Sequence, residues 1–143
     1  MYYITDNDIT EIKIDGSESS PNYDSALDIL RRRRSTSINT SYQNEVDGRF
    51  SSNAIGSTKW YDSKQEDRND LVGVVASGQD SYYKCFTSKT DMDGQWVLHT
   101  LDQLKTVLND GRLLMIQLIQ KKDTLLNDLK VATNKQEILN VVW

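Results

Sequence analysis

The sequence predicts an α+β fold, mainly helical, in which small antiparallel hairpins pack against helices. Two observations carry this expectation. Leu101, Leu104, Leu108, Met115, Leu118, Leu125 and Leu129 recur at three-, four- and seven-residue intervals, the spacing of one apolar helix face. Ahead of them, two runs rich in aromatic and β-branched residues, Ser81–Thr87 and Gln95–Thr100, flank Asp91-Met92-Asp93-Gly94, whose Asp-Gly pair is a strong hairpin signal. Two strands alone are marginal, so this hairpin is expected to pack on the rest of the chain.

At the start, Tyr2-Tyr3-Ile4 and Ile9–Ile14 surround the polar Thr5-Asp6-Asn7-Asp8, and Ile12 and Ile14 alternate with charged neighbours. Residues 1–15 therefore read as two short strands, either an exposed hairpin or strands that dock on another chain's sheet. Gly16-Ser17-Glu18-Ser19-Ser20-Pro21 marks a linker over 16–22, and 23–143 reads as one domain. A helix near 23–47 follows from the spacing of Tyr23, Leu27, Leu30, Ile38 and Tyr42. It is expected to end near Gly48 and to pack on the long C-terminal helix. Thr100 and Gln103 have the spacing of a capping box, and Asp102 complements the helix dipole, so that helix begins near Leu101 and runs to about residue 131. Asn109-Asp110-Gly111 is where it would break into two, since Gly costs about 1 kcal/mol against Ala; continuity is the favoured reading. Unbroken, the helix is roughly 45 Å long at ~1.5 Å per residue. Thr133 and Gln136 repeat the capping spacing and predict a last short helix through Ile138, Leu139 and Val142 to Trp143.

Tyr83-Lys84-Cys85, Gly94-Gln95-Trp96, His99-Thr100, the Leu/Val-rich helix, and the closing Ala132-Thr133, Glu137-Ile138 and Trp143 occur together and in order. In these features the chain resembles an uncharacterised domain found in the tail-fibre regions of tailed bacteriophages. Ile38, Phe50 to Gly56, Trp60-Tyr61 and Asp67 to Leu71 look like the remainder of that domain, so the resemblance covers about residues 26–143. It implies a small-residue turn, an aromatic strand and a short helix near 64–77. Proteins carrying the domain are usually labelled tail-fibre or tail-fibre-assembly proteins. That implies a non-enzymatic part in building a receptor-binding appendage, with the tail-fibre chain, expected as a trimer, as partner.

Composition agrees with a modest domain that leans on a partner. A chain of 143 residues is one domain by length and buries roughly 68% of its unfolded surface. Its hydrophobic fraction of 37% lies below the usual ~45–50%, so part of its stability is expected from an interface, self-association included. A net charge of −4 argues against general nucleic-acid affinity, which needs a basic surface. One Cys excludes an internal disulfide framework and fits synthesis in a reducing host-cell cytoplasm. No apolar run approaches the ~20 residues that span a bilayer, and the N-terminus lacks the order of a signal peptide. A soluble protein with no membrane contact is expected, in the cytoplasm during assembly or on the virion tail.

Arg31-Arg32-Arg33-Arg34 invites a nucleic-acid reading. On a helix, however, four consecutive residues spread around the whole circumference, and Asp28 stands four before Arg32, in reach of an ion pair. A solvated helix surface is the preferred reading, ahead of an acidic partner and of nucleic acid. His99 and Cys85 suggest a metal or nucleophile, but the chain has one of each and a zinc site needs three or four protein ligands. His99 reads better as a capping or turn residue, and Cys85 as a half-buried apolar one, with a cross-link to another chain as the alternative. Asp91-Met92-Asp93-Gly94 lacks the later ligands of a calcium loop and reads as a polar turn. Carboxylate pairs such as Glu66-Asp67 or Asp123 with Asp128 come with no pocket signal, and no phosphate-cradling loop is present. No catalytic residue, metal or cofactor is expected.

The remaining candidates are aromatic: Tyr2, Tyr3, Trp60, Tyr61, Tyr82, Tyr83, Trp96 and Trp143. Trp and Tyr are favoured at interface hot spots. Trp96 reads as core, and the partner-binding set is taken to be Tyr2, Tyr3, Ile12, Ile14, Trp60 and Tyr61. The expected function is a tail-fibre accessory protein that assists fibre folding or trimerisation. A permanent structural subunit of the fibre or baseplate is the alternative, and a nucleic-acid-binding regulator a more distant one.

Overall fold

The computed structural model describes residues 2–4, 12–14 and 23–143, with side chains from Ser25 onward; the turn expected at 5–8 and the linker expected over 16–22 lie outside them. The order is β1 (Tyr2–Ile4), β2 (Ile12–Ile14), α1 (Tyr23–Asp47), β3 (Phe50–Ser52), β4 (Lys59–Tyr61), α2 (Gln65–Ala76), β5 (Ser81–Cys85), β6 (Gln95–His99), α3 (Leu101–Val131) and α4 (Lys135–Asn140). The fold is α+β and mainly helical, as expected. Among the described residues the strands pair antiparallel as β1–β2, β3–β4 and β5–β6, the last two pairs as hairpins. Trp60 and Phe86 join the last two through a single bridge, each N–H donating to the other's carbonyl at 2.9 Å. Among the described residues no helix is long and apolar enough to cross a membrane.

Two compact units make up the chain, one of residues 1–42 with 120–143 and the other of residues 43–119. In the first, Leu27, Leu30 and Ile38 of α1 pack with Leu129 of α3 and with Ile138 and Val141 at the chain's end, so the two long helices meet as their apolar spacing predicts. In the arginine run Arg32 is exposed, as expected, but Arg31 and Arg34 depart from a solvated surface. Arg34 is buried and donates to the Leu139 carbonyl at 3.2 Å, and Arg31 donates to the Ala132 carbonyl at 2.7 Å. Helix C-termini carry unpaired carbonyls and negative potential, so these guanidinium groups are drawn to the ends of α3 and α4 rather than to water. Asp28 pairs with Arg31 at 2.7 Å, one position earlier than the Arg32 expected.

The cap of α4 also differs. Asn134 accepts from the Glu137 N–H at 2.9 Å, and the Glu137 carboxylate accepts from Thr133 N–H at 2.6 Å and Thr133 Oγ at 3.1 Å. A charged acceptor holds these donors more strongly than the Gln136 amide could, and those bonds lower the Glu137 pKa. Gln136 donates instead to Asn140 at 2.9 Å. Val141 turns extended and is itself buried in the core, so the helix stops before Val142 and Trp143.

In the second unit the first half of α3 supplies Leu104 and Val107, which pack with Phe50 of β3, Tyr61 of β4, Leu71 of α2, and Tyr83 and Cys85 of β5. The capping box forms as read: Gln103 N–H donates to Thr100 Oγ at 3.2 Å, and Thr100 N–H to the Gln103 side chain at 2.8 Å. Helix α3 runs unbroken through Gly111, where an added Cβ would stand 3.0 Å from Cζ of Phe50. The glycine is there because the Phe50 ring lies against the helix backbone.

Candidate functional site

The hairpin β5–β6 has two apolar faces, and only one is buried. Its register pairs Tyr83 with Val97, Cys85 with Gln95 and Ser81 with His99, and between these Tyr82 with Leu98 and Lys84 with Trp96. Side chains alternate along a strand, so Tyr82, Lys84, Trp96 and Leu98 share the outward face. Trp96 is 67% exposed, Tyr82 63% and Leu98 54%. Two aromatic rings and a leucine thus stand side by side in water, flanked by the aliphatic stem of a lysine. Such a group desolvates readily against another surface and holds few rotamers to lose, the property that makes Trp and Tyr frequent interface anchors.

The inner face makes the platform rigid. His99 is fully buried; its Nε2 accepts from the Tyr61 hydroxyl at 2.9 Å, and Nδ1 lies 2.7 Å from the Val97 carbonyl. The His99 ring meets Tyr61 and Tyr83 edge-on, at centroid distances of 5.8 Å and 6.4 Å. Burial raises the pKa of both tyrosines above the ordinary value, so both stay protonated as donors. At the tip, Gly94 has φ +59°, and an added Cβ would lie 2.6 Å from both the Phe86 ring and Lys84 Cε. Asp91 closes the loop by accepting from Thr87 N–H, Thr87 Oγ and Asp93 N–H, each at 3.0 Å. Arg49 clamps the loop from below: its guanidinium carbon sits 3.3 Å from the Phe86 ring centroid, while Nη1 donates to the Asp91 carbonyl at 2.5 Å and Nε to Asp62 at 2.9 Å.

These positions decide the chemical readings. Cys85 pairs with Gln95, and His99 lies four residues further along β6, roughly 13 Å away at ~3.3 Å per residue, so the two form no dyad. Cys85 is buried, more deeply than expected, and burial pushes its thiol pKa up; a thiol so placed is closed to another chain. His99 is a core residue bonded to Tyr61 and not a capping one. Among the described residues no three His, Cys, Asp or Glu side chains come together where they could hold a metal ion.

Of the expected contact residues, Tyr61 is 0% exposed and belongs to the core: its ring stacks on Phe50 at 5.7 Å and its hydroxyl is used by His99. Its neighbour Trp60 is half-buried. Tyr2, Tyr3, Ile12 and Ile14 lie in β1 and β2, where Tyr2 pairs with Ile14 and Tyr3 with Lys13; their side chains lie outside those described. Trp96, expected in the core, is the most exposed of the hairpin aromatics. Tyr82-Tyr83 and Trp96-Val97-Leu98 held part of the signal, since neighbouring strand residues face opposite ways and Tyr82, Trp96 and Leu98 therefore share one face and Tyr83 and Val97 the other; which face is covered is decided by the helix packed against it.

Compared with known protein families, with curated proteins and with solved structures, the chain matches none.

Proposed function

We propose that this chain is a protein-binding module, and in particular a tail-fibre accessory protein that binds the fibre chain and assists its folding or trimerisation. The observation that supports binding is the outward face of β5–β6, where Tyr82, Trp96 and Leu98 are more than half exposed on a hairpin fixed from behind. The fibre as partner rests on the sequence resemblance. Fibre trimers assemble through slow non-local β pairing with strand edges exposed, which gives a physical reason for a dedicated partner. A nucleic-acid role is disfavoured because Arg31 and Arg34 are already engaged with backbone carbonyls and the net charge is −4.

Co-expression with the fibre chain encoded beside it, purified by a tag on the fibre alone, tests the proposal. Co-purification with a gain in soluble trimer is the expected result, and it should fall when Trp96 and Tyr82 are changed to Ser. Co-purification with unchanged trimer would indicate a structural subunit, and no association would overturn both.

A further inference from the structure

A pocket lies away from the β5–β6 face, between α2 and α3 within residues 43–119. Leu71, Val72, Leu108, Met115 and the ring of Phe50 form its walls, and it encloses about 190 Å³. Pockets for cofactors and drug-sized ligands run to roughly 300–1,000 Å³, so this one suits a single large side chain. Two guanidinium groups line it, Arg68 and Arg112, and no carboxylate does. Arg68 is occupied: it donates to the Ser63 carbonyl and, at 2.9 Å, to Gln65, and lies 3.7 Å from Asp47. Arg112 is exposed and makes no hydrogen bond or ion pair among the described residues. One α3 face carries Leu108, Arg112, Met115 and Ile119 at helical spacing, and the exposed Ile116 and Ile119 extend the apolar surface beyond the pocket.

We propose that this pocket receives one apolar side chain from a partner polypeptide whose adjacent residue is Asp or Glu, the carboxylate pairing with Arg112. Charge complementarity selects the occupant. A cationic rim over neutral walls attracts an acidic segment and repels a basic one, and a carboxylate–guanidinium bond beside an apolar contact is stronger than a neutral one. The inference rests on the chain being a binding protein, and not on the partner's identity or on the β5–β6 face.

The test is a titration of the full-length, nitrogen-15-labelled chain with three blocked peptides, acetyl-Glu-Leu-Phe-Glu-amide and its Gln and Lys counterparts, followed by NMR. The acidic peptide should shift the amides of Val72, Leu108, Gly111 and Met115. The Gln peptide should bind roughly tenfold more weakly, about 1.4 kcal/mol, and the Lys peptide not at all. Arg112→Ala, a change at an exposed helix position, should bring the acidic peptide down to the level of the Gln peptide, and Val72→Glu should repel it. No shift at millimolar peptide, equal binding of all three, or shifts confined to Tyr82, Trp96 and Leu98 would overturn the proposal. So would binding of 4-phenylbutyrate without the acidic peptide, which would mark a small-carboxylate site. Failed fibre co-purification with peptide binding intact would sink the fibre reading and leave the pocket standing.

Discussion

The Tyr61 hydroxyl donates to Nε2 of His99 at 2.9 Å and thereby ties β4 to β6, strands of two different hairpins. The Val97 carbonyl, 2.7 Å from Nδ1, can only accept, so Nδ1 carries the imidazole proton and Nε2 is left to receive the tyrosine's. Tyr61→Phe strands that nitrogen in the core and is expected to cost about 1–3 kcal/mol. His99→Phe removes the acceptor and leaves the Tyr61 hydroxyl unpaired, at similar cost. Combined, the two changes should cost less than their sum, because neither ring then leaves the other's polar atom unpaired, while the bond to the Val97 carbonyl is lost equally in both His99 variants. Urea unfolding of the four proteins measures the coupling; strict additivity would show that the bond contributes nothing.

Asp91 links stability to acid. The bonds from Thr87 N–H, Asp93 N–H and Thr87 Oγ hold its pKa down to about 2, against an ordinary 3.8. A carboxyl lowered in the folded state contributes stability that is fully present above the unfolded value and is lost as pH falls through the folded one. The loss is therefore expected between roughly pH 4 and pH 2, and Asp91→Asn should flatten the stability profile there. NMR titration of the Asp91 carboxyl carbon checks the cause, and a midpoint near the ordinary value would refute it.

Two glycines should respond differently to alanine. Gly94→Ala places a Cβ at positive φ and 2.6 Å from the Phe86 ring, and is expected to destabilise by about 2 kcal/mol or more. Gly111→Ala should gain about 1 kcal/mol of helix propensity. With Phe50 Cζ 3.0 Å from the new methyl, that gain should not appear. It should return when Phe50→Leu is the background, and unfolding midpoints of the matched pairs will show whether it does.

Tyr82 and Trp96 should matter to binding and not to folding. Changing either to Ser is expected to move stability by less than about 0.5 kcal/mol, as for most surface positions, while weakening partner binding by about 2 kcal/mol. Tyr61→Ser should do the reverse and compromise the fold. Thermal unfolding beside a fibre-binding assay separates the two classes, and equal losses of stability across all three variants would contradict the assignment.

Much of the fold was legible because its signals are local. The capping pair Thr100 and Gln103 and the leucine spacing gave the bounds of α3, and apolar periodicity gave α1. Helix α4 was harder, since Thr133 and Asn134 both make plausible caps and only the reach of the Glu137 carboxylate decides between them. Faces of hairpins were the least legible. Whether Tyr82 or Tyr83, Trp60 or Tyr61, points inward depends on where Leu104 and Val107 arrive from a distant segment, and no residue near either pair records that. Within the arginine run Arg32 is exposed and Arg31 pairs with Asp28, as a solvated surface predicts, whereas the carbonyls of Ala132 and Leu139 that Arg31 and Arg34 also reach lie more than a hundred residues away in sequence and leave no local signal.

The bridge between Trp60 and Phe86 has a mechanical meaning. A pull entering at Trp96 travels down β5–β6 and meets, at its junction with β3–β4, a seam of two backbone hydrogen bonds. Arg49, stacked on Phe86 and bonded to the Asp91 carbonyl and to Asp62, acts as a rivet in parallel with that seam. Further along β6 the Tyr61–His99 bond and the burial of Tyr83 and Cys85 anchor the same hairpin, so a load applied at the aromatic face is shared between an edge seam and a buried anchor, and the hairpin is released only when both part.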